Sequence, residues 1–462
     1  MAADPLDIPY AQQTEAFVPA SGVTAQRICR WWFGMLGFVL FGYAVFNKGF
    51  AYIGLPPLFI GEAVLGAGLF MTLFATRLRT ALGQTGCLLL LPILAWCAVR
   101  TLPYFGEYRF DAARDAVLIG YSLYTICVVT AILERPALLR DALIAAQRAL
   151  PWAILLIPFA VLATYKLRGV LPNWPWGDVR IIFVKQGDTM VFLAAITVFM
   201  MVGFAKQRSA LWALPIIATA GAMGLINRGG MLAYLAAVGL AAVLYPRSAW
   251  LWKGAVAAFV VMTVIVIMDP RIQVPGRERE ISVQQAVNNV TSIIGNNTAG
   301  DLDNTKSWRI DWWTKIVGYT FHGEYFWQGK GFGINLANSD GFQVFQDESL
   351  RSPHNAHMTV LARSGVIGLA LWAVVHLYWL GLMARLYLRA RRRDQQPWAG
   401  LAVLLICIWL ALSIHASFDV FFEGPMGGIW LWSVIGFGIA ANWVYRRHPD
   451  ILAEFPNAER VG

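Results

Sequence analysis

The stretch WAGLAVLLICIWLALSIHA, residues 398–416, decides the fold class of this chain. It holds no Asp, Glu, Lys or Arg, and a helix of about 20 apolar residues spans the roughly 30 Å of hydrocarbon in a bilayer. Other apolar runs of similar length lie near residues 31–47, 57–76, 85–100, 115–133, 150–166, 189–205, 210–226, 230–246, 249–268, 358–384 and 427–445. The sequence therefore predicts an all-α polytopic membrane protein with about twelve transmembrane helices.

The composition supports lipid as the solvent of this chain. It is 58% hydrophobic and only 14% charged, whereas a soluble domain is about 45–50% apolar and about 25% charged. All five cysteines lie in or beside apolar runs, so their spacing indicates no metal site. The net charge of +10 is scattered over short connections. That distribution argues against nucleic-acid binding and favours cytoplasmic loops.

Loop charge predicts the orientation in the membrane. One set of connections carries Arg77, Arg79, Arg135, Arg140, Arg148, Lys206, Arg208, Arg247, Arg385, Arg389, Arg391, Arg392 and Arg393. Cytoplasmic loops carry an excess of Lys and Arg, so this face is expected to be cytoplasmic. An even number of spans then places both termini there, and the opposite face is periplasmic in a bacterium.

The predicted organisation has five parts. A cytoplasmic tail (1–30) precedes nine transmembrane helices (31–268). A large periplasmic loop (269–357) is followed by three more helices (358–445) and a cytoplasmic tail (446–462).

The long loop is predicted to be folded. Ile281–Ile294 and Ser307–Tyr319 have apolar residues at helical spacing, which is typical of amphipathic helices that lie along a membrane surface. Ser307 is a candidate N-cap for the second helix. The glycines within 329–333 are expected to break it.

The loop ends in Arg-Ser-Pro-His-Asn-Ala-His, residues 351–357, and a span follows at once. Pro353 restricts the backbone there, and Asn355 is a good helix N-cap. His354 then lies at the membrane interface, where a histidine titrates near neutral pH. It is either a solvated interfacial side chain or a functional base.

Three other motifs accompany His354: Asn227-Arg228-Gly229 between two predicted spans, Trp308-Arg309 ahead of the Gly331/Gly333 turn, and Gly365 with Gly368 inside the following span. Together they resemble the O-antigen ligase and polymerase superfamily of bacterial polysaccharide assembly. Asn227 departs from the serine that is usual in the family, and His357 stands where an aromatic residue is common.

The resemblance implies a GT-C-like membrane glycosyltransferase that takes a glycan from a polyprenyl (undecaprenyl) diphosphate carrier. The glycan passes to an acceptor hydroxyl, on another glycan or on a lipid core, at the periplasmic face. His354 would be the general base, and Arg228 and Arg309 would hold the diphosphate, because guanidinium pairs with phosphate oxygens in bidentate fashion. Residues expected to bind substrate are Arg180, Lys185, Asn355, His357, Trp308, Gly331 and Gly333.

Diphosphate is already a good leaving group, so no general acid is needed. No Asp-x-Asp motif is placed to hold a metal, and fixed arginines could replace one. The expected enzyme is therefore free of metal and cofactor, and attack opposite the leaving group would invert the anomeric centre. Arg180 and Lys185 remain alternatives for a third phosphate contact.

Other interpretations stay open. A polymerase would use the same donor chemistry as a ligase, and a transporter or flippase for a lipid-linked glycan is the alternative of another class. His354 and His357, with His322, Asp347 or Glu348, could instead bind a metal. Glu62 is either functional or paired with an arginine. Asp419 and Glu423 either help to bind the acceptor or are solvated.

Overall fold

A computed structural model describes residues 22–207, 209–246, 300–453 and 455, with isolated positions from 253 to 281. We number the longer described helices α1 to α17. They are α1 Val23–Ala51, α2 Ile60–Phe74, α3 Leu78–Leu82, α4 Thr85–Leu88, α5 Leu90–Thr101, α6 Phe105–Tyr108, α7 Phe110–Gly120, α8 Leu123–Glu134, α9 Ala137–Lys166, α10 Gln186–Met201, α11 Ala213–Ile226, α12 Arg228–Leu244, α13 Gly300–Phe321, α14 Leu336–Asp340, α15 Ala356–Arg392, α16 Gln396–Ala416 and α17 Pro425–Arg447.

The described strands form two short antiparallel pairs. Gly54–Leu55 (β1) pairs with Leu58–Phe59 (β2), and Ile272–Gln273 (β3) pairs with Glu280–Ile281 (β4). The fold of the described chain is therefore helical, as predicted. Most of the expected ninth span (249–268), the expected helix Ile281–Ile294 beyond its first residue, and residues 1–21 and 456–462 of the terminal tails lie outside the described residues.

The structure does not support twelve transmembrane helices. Within the described residues, six helical segments are long and apolar enough to cross a membrane, or seven if the bent pair α7 and α8 forms one span. The predicted spans near 57–76, 189–205, 210–226 and 230–246 correspond to apolar helices of at most 17 residues. Such a helix rises about 26 Å at most, short of about 30 Å of hydrocarbon.

The helix ends fall into two groups. Helix α15 begins beside His354 and ends with Arg389, Arg391 and Arg392; we call these ends the site end and the arginine end. Helix α10 begins at the site end, since Lys185 just before it contacts Asp419, and Asp419 lies near His354. Helix α12 ends at the arginine end, because its Leu244 carbonyl accepts a hydrogen bond from Tyr387 (2.8 Å). The bundle therefore separates the predicted site from one cluster of arginines.

Small residues allow close helix packing at the site end. A Cβ on Gly230 of α12 would lie 2.8 Å from the Gly187 Cα of α10. A Cβ on Gly187 would in turn lie 2.2 Å from the His415 ring of α16. Small residues at helix interfaces let backbones approach in membrane proteins. This contact brings the first turns of α10 and α12 to the last turn of α16.

The described part of the long loop has a hydrophobic core of its own. Trp312 and Ile316 of α13 are fully buried with Leu336 and Leu361. The Trp312 ring stacks on Phe342 at 5.2 Å. Helix α13 thus corresponds to the predicted amphipathic helix, and the loop is folded where it is described.

The predicted start of that helix is wrong, while its end lies two residues beyond the predicted Tyr319 and well before the glycines that were expected to break it. Helix α13 already includes residue 300, so Ser307 lies inside it and caps nothing. It ends at Phe321, before the glycine cluster. The helical turns preceding Ser307 are polar, and an apolar periodicity does not reveal helical residues of that kind.

Candidate active site

His354 lies at the mouth of α15, as predicted. Asn355 caps that helix, and its side-chain oxygen accepts hydrogen bonds from the backbone N–H groups of His357 (2.9 Å) and Met358 (3.1 Å). His354 itself has a φ of 53°, which is uncommon outside glycine. Its half-buried ring lies 6.2 Å from the ring of Trp308 on α13. The cap and the loop helix together fix the imidazole at the site end.

A carboxylate and an ammonium accompany this imidazole. Asp419, on the connection between α16 and α17, has Oδ1 3.9 Å from the His354 Nδ1. The Lys185 Nζ donates to both carboxylate oxygens of Asp419, at 3.0 and 3.1 Å. Three chain segments that are far apart in sequence therefore meet in one cluster: the loop end, the start of α10 and the connection between α16 and α17.

The electrostatics of the cluster favour a neutral imidazole. Burial lowers the pKa of His354 below its usual value, and Arg309 and Lys185 lower it further, while Asp419 acts in the opposite direction. A neutral imidazole has an acceptor nitrogen. His354 can therefore accept a proton without first losing one.

The Lys185 and Asp419 side chains hold each other charged. Burial by itself lowers the pKa of Lys185, but Asp188 and Asp419 outweigh it and the net shift is upward. Burial alone would raise the pKa of Asp419, but Lys185 is the main group that brings it below its usual value. The pair therefore stays ionised around neutral pH.

Arg309 belongs to the same electrostatic cluster. It follows Trp308 on α13 and is half-buried. Burial lowers its pKa, and the charge of Asp419 opposes that change. Its Nε is buried and has no hydrogen-bond partner among the described residues. An unsatisfied guanidinium donor beside a histidine is suited to an anionic substrate group.

Arg228 is the first residue of α12. The Asn227 side chain caps this helix by accepting from the Gly230 N–H at 2.7 Å. Asn and Ser are both strong N-caps, so the departure from serine preserves this function. The contact between Gly230 and Gly187 brings the start of α12 to the start of α10, where Lys185 lies. Arg228 is half-buried there.

The two candidates for a third phosphate contact differ in position. Lys185 contacts Asp419 directly. Arg180 lies on the preceding loop, where its backbone bridges to Asn173, and it makes no ion pair with a described residue. The geometry therefore favours Lys185 over Arg180.

A buried histidine–aspartate pair lies beneath the cluster. The His415 Nε2 is 2.9 Å from the Asp188 Oδ1, and both side chains are inaccessible. With Asp419 they form a group whose ligand atoms all lie within 4.8 Å of one another and could hold a metal ion. The Lys185 ammonium, 3.0 Å from Asp419, already supplies a positive charge to this group.

The metal arrangement considered from sequence is a different one. It would need His354 and His357 with His322, Asp347 or Glu348. The His357 Nδ1 instead accepts a hydrogen bond from the Trp372 indole at 3.2 Å. In the described residues, the group that fits a metal contains neither His354 nor His357. The role of His357 in substrate binding stays a prediction.

The glycine turn packs against the helix that follows the loop. The Lys330 and Gly331 N–H groups donate to the Ala362 and Arg363 carbonyls at 2.7 and 2.9 Å. Gly331 has a φ of 94°, and a Cβ there would lie 2.2 Å from the Tyr104 ring. Helix α15 is kinked at this level, at Gly365, with a φ of 65°. Both positions therefore require glycine for backbone reasons, and substrate contact by Gly331 and Gly333 stays a prediction.

A buried ionic cluster holds this turn in place. The Asp115 Oδ2 of α7 lies 2.9 Å from the Arg351 Nη2 and 3.0 Å from the Arg363 Nη2. Arg351 also donates to the Gly333 carbonyl at 2.7 Å, and the Gly333 N–H donates to Asp115 at 3.2 Å. We call Asp115, Arg351 and Arg363 the clasp. It joins α7, the glycine turn and α15 behind His354.

Two acids noted in the sequence find partners in the structure. Glu62 accepts from the Tyr121 hydroxyl at 2.5 Å and from the Phe59 N–H at 3.2 Å. Its partners are therefore not the expected arginine. Glu423 accepts from the Thr359 hydroxyl of α15 at 3.0 Å. Burial raises the pKa of Glu423, and Arg363 partly opposes that change.

Sequence reasoning missed three members of this site. Asp419 was left as an open alternative, and Asp188 and His415 were not considered. Each of these last two is an ionisable residue inside or at the edge of a predicted span: Asp188 just before 189–205 and His415 inside 398–416. Ionisable groups at membrane depth are functional candidates, so this signal could have identified them.

Residues 216–373 match a family model described as O-antigen ligase. No curated protein matches the chain significantly. The matched segment contains Arg228, Arg309, the glycine turn and His354, while Lys185 and Asp419 lie outside it. This segment is about a third of the chain, and its match supports the O-antigen ligase and polymerase superfamily that the motifs predicted.

Proposed function

We propose that this chain is a glycosyltransferase of the O-antigen ligase type. It takes a glycan from an undecaprenyl diphosphate carrier and transfers it to an acceptor hydroxyl at the periplasmic face of a bacterial inner membrane. The observation that carries the proposal is the cluster of His354, Asp419, Lys185 and Arg309 at one end of the bundle.

His354 is the proposed general base. Its lowered pKa leaves the imidazole neutral at neutral pH, and a base within reach of a hydroxyl contributes typically about 10²–10⁴-fold to the rate. As the acceptor oxygen forms its bond to the anomeric carbon, its proton passes to His354. Asp419, 3.9 Å from the His354 Nδ1, then stabilises the imidazolium. The first turn of α15 donates a backbone N–H to the Asn355 side-chain oxygen, and this cap keeps the segment that carries the ring in position.

The cations bind the leaving group. Negative charge develops on the diphosphate when its bond to the sugar breaks, and fixed positive groups near hydrocarbon stabilise such charge more strongly than water does. Arg309, with its unsatisfied Nε, and Arg228 are the proposed diphosphate ligands. Lys185 is the third cation, in preference to Arg180, because it lies in the cluster. No metal takes part in this proposal.

The proposed site faces the periplasm. The arginine end carries Arg389, Arg391, Arg392, Arg446 and Arg447, and cytoplasmic segments next to membrane spans are rich in arginine. The site end is at the opposite ends of α15 and α17, so it would lie outside. Trp308, Asn355, His357, Gly331 and Gly333 remain proposed substrate contacts on that side.

Replacing His354 tests the proposal. The assay joins purified protein in lipid vesicles with undecaprenyl diphosphate-linked oligosaccharide and lipid-core acceptor. We expect His354→Ala to lower the transfer rate by about 10²-fold or more. The matched control is His322→Ala, because His322 is exposed and lies just after α13. If His354→Ala transfers the glycan at the wild-type rate, His354 is not the general base.

A deletion strain separates ligase from polymerase and from transporter. Polymer retained on the carrier, with lipid core lacking long chains, supports our preferred ligase. Single repeat units accumulated on the carrier at the periplasmic face would indicate a polymerase instead. Carrier-linked glycan held at the cytoplasmic face would indicate a transporter and contradict the proposed enzyme.

A further inference from the structure

Lys48 is a cation of the site end that belongs to neither the matched segment nor the motifs. It lies in the last turn of α1. Lys48 lies near the segment that leads into α10, because the N–H of its neighbour Gly49 donates to the Phe183 carbonyl. The charge of Lys48 interacts with those of Lys185, Asp188 and Asp419. Its ammonium is 6.0 Å from the Phe183 ring centroid. Lys48 makes no ion pair with any carboxylate in the part of the chain that the structure describes.

The backbone around Lys48 is held in an unusual bend. Asn47 has φ 55° and ψ −125° inside an otherwise helical segment, which is a strained conformation for a residue with a Cβ. The Gly49 N–H donates to the Phe183 carbonyl at 3.0 Å, and the Trp174 indole donates to the Gly49 carbonyl at 2.8 Å. A Cβ on Gly49 would lie 2.6 Å from the Ile181 carbonyl oxygen. These contacts fasten the end of α1 to the segment that leads into Lys185.

The Asn47 side chain adds a second anomaly at the bend. It is fully buried, and both its amide nitrogen and its oxygen have no hydrogen-bond partner among the described residues. Buried polar groups are normally hydrogen-bonded, and each exception calls for an explanation. Strained backbone of the kind seen at Asn47 clusters at active sites and ligand clamps. The bend at Asn47 therefore costs conformational and desolvation free energy, and the described hydrogen bonds of Asn47 do not offset it.

The charges around Lys48 indicate that this bend serves an anionic ligand. Lys48 and Lys185 repel each other, and Arg309 adds a third positive group to the cluster. The described carboxylates that oppose them are Asp188 and Asp419, of which Asp188 is already bonded to His415. Neighbouring like charges destabilise a site unless a counter-charge binds among them. An anion with several oxygens would satisfy these cations together.

We propose that Lys48 is a phosphate-binding residue for the diphosphate of the lipid-linked donor. This inference rests on the proposed function, and it extends the donor site from α10, α12 and α13 to the end of α1. Lys48 and Lys185 would share the phosphate oxygens, and the bend at Asn47 sets the position of Lys48. An ammonium binds phosphate as a point charge and tolerates several orientations.

Binding of undecaprenyl diphosphate to the purified full-length protein tests the inference. We expect Lys48→Met to raise the dissociation constant about tenfold, because a charge-assisted contact is lost. Lys48→Arg keeps the charge and should stay within about threefold of the wild type. The matched control is Lys166→Met, since Lys166 is an exposed lysine in the last turn of α9; its affinity should not change.

The outcomes distinguish this inference from the proposed function. A wild-type protein that does not bind undecaprenyl diphosphate overturns both. A wild type that binds, together with Lys48→Met that binds equally well, overturns only the role of Lys48. If Lys48→Met does not fold, acetylation of the wild-type protein decides. Undecaprenyl diphosphate should protect Lys48 and not Lys166 from acetylation, and equal labelling of Lys48 with and without the lipid contradicts the inference.

Discussion

At the scale of single residues, each proposed role depends on a protonation state that the neighbouring charges set. His354 is kept neutral by burial and by two cations, and Asp419 partly offsets them. The same Asp419 is held by Lys185. Replacing one member therefore changes the protonation or position of the others. The pH dependence of the reaction is a direct measure of this coupling.

Asp419→Asn should change both the rate and the pH profile. The reaction needs neutral His354, so the rate falls as pH decreases through the pKa of this residue. Asp419 raises that pKa, so its loss lowers the pKa and moves the acid limb of kcat/KM to lower pH. The plateau should also fall, by about tenfold or more, because the imidazolium is less stabilised. An unchanged acid limb would show that Asp419 does not act on His354.

Arg309→Lys tests the diphosphate contact by changing shape and keeping charge. A lysine cannot form the planar fork that matches two phosphate oxygens. We expect kcat/KM to fall by about tenfold or more. Arg114→Lys is the matched control, since Arg114 is exposed and forms a surface ion pair with Asp111. Near-normal activity of Arg309→Lys would argue against a bidentate clamp.

At the scale of elements, the clasp decides how the loop joins the bundle. Asp115 comes from α7, Arg351 from the loop end and Arg363 from α15. Gly333 of the glycine turn bonds to two of these groups, Asp115 and Arg351. The His354 backbone follows three residues after Arg351, so the clasp holds the segment that carries the proposed base.

The variants Asp115→Ala and Asp111→Ala compare how much a buried and an exposed ion pair contribute to stability. The Asp115 side chain is 4% exposed and that of Asp111 is 43% exposed, although both pair with Arg351. Removing Asp115 leaves Arg363 charged and fully buried, which should cost about 3–5 kcal/mol of stability. Removing Asp111 should cost about 1 kcal/mol or less. Thermal unfolding of the two variants in detergent measures the difference, and equal losses would mean that the clasp is not structural.

At the scale of the whole molecule, the bundle has one end rich in arginine and another that carries the proposed site. The family match makes a lipid-linked polysaccharide the expected class of substrate. In the proposed function its carrier lies in the bilayer, so the site would open both to lipid and to water. The orientation of the two ends is therefore part of the proposed function.

Cysteine labelling in intact cells tests this orientation. The five native cysteines are all buried, so introduced ones should dominate the signal. An impermeant thiol reagent should label His322→Cys, beyond α13, and should not reach Asp394→Cys, beside the arginines that end α15. The opposite pattern would place the site in the cytoplasm and contradict a periplasmic transferase.

The sequence by itself determined the class of fold, the folded loop and the mouth of α15. Apolar runs predict helices because the backbone must bond internally in lipid, and Asn355 caps a helix through atoms within three residues of itself. The motifs also identified the superfamily, since the family match spans the segment that carries most of them. These features depend on local chemistry, which the order of residues encodes directly.

Only the tertiary structure decided which distant charges meet. Lys185 and Asp419 are 234 positions apart, yet their side chains are bonded, and no local pattern distinguished Lys185 from Arg180. The close contact of Gly187, Gly230 and His415 sets that meeting. The helix lengths were also not predictable from the sequence, because hydropathy does not mark where a helix of 14 to 17 residues ends. Electrostatic interactions act through space, so the chain had to fold before the site could be recognised.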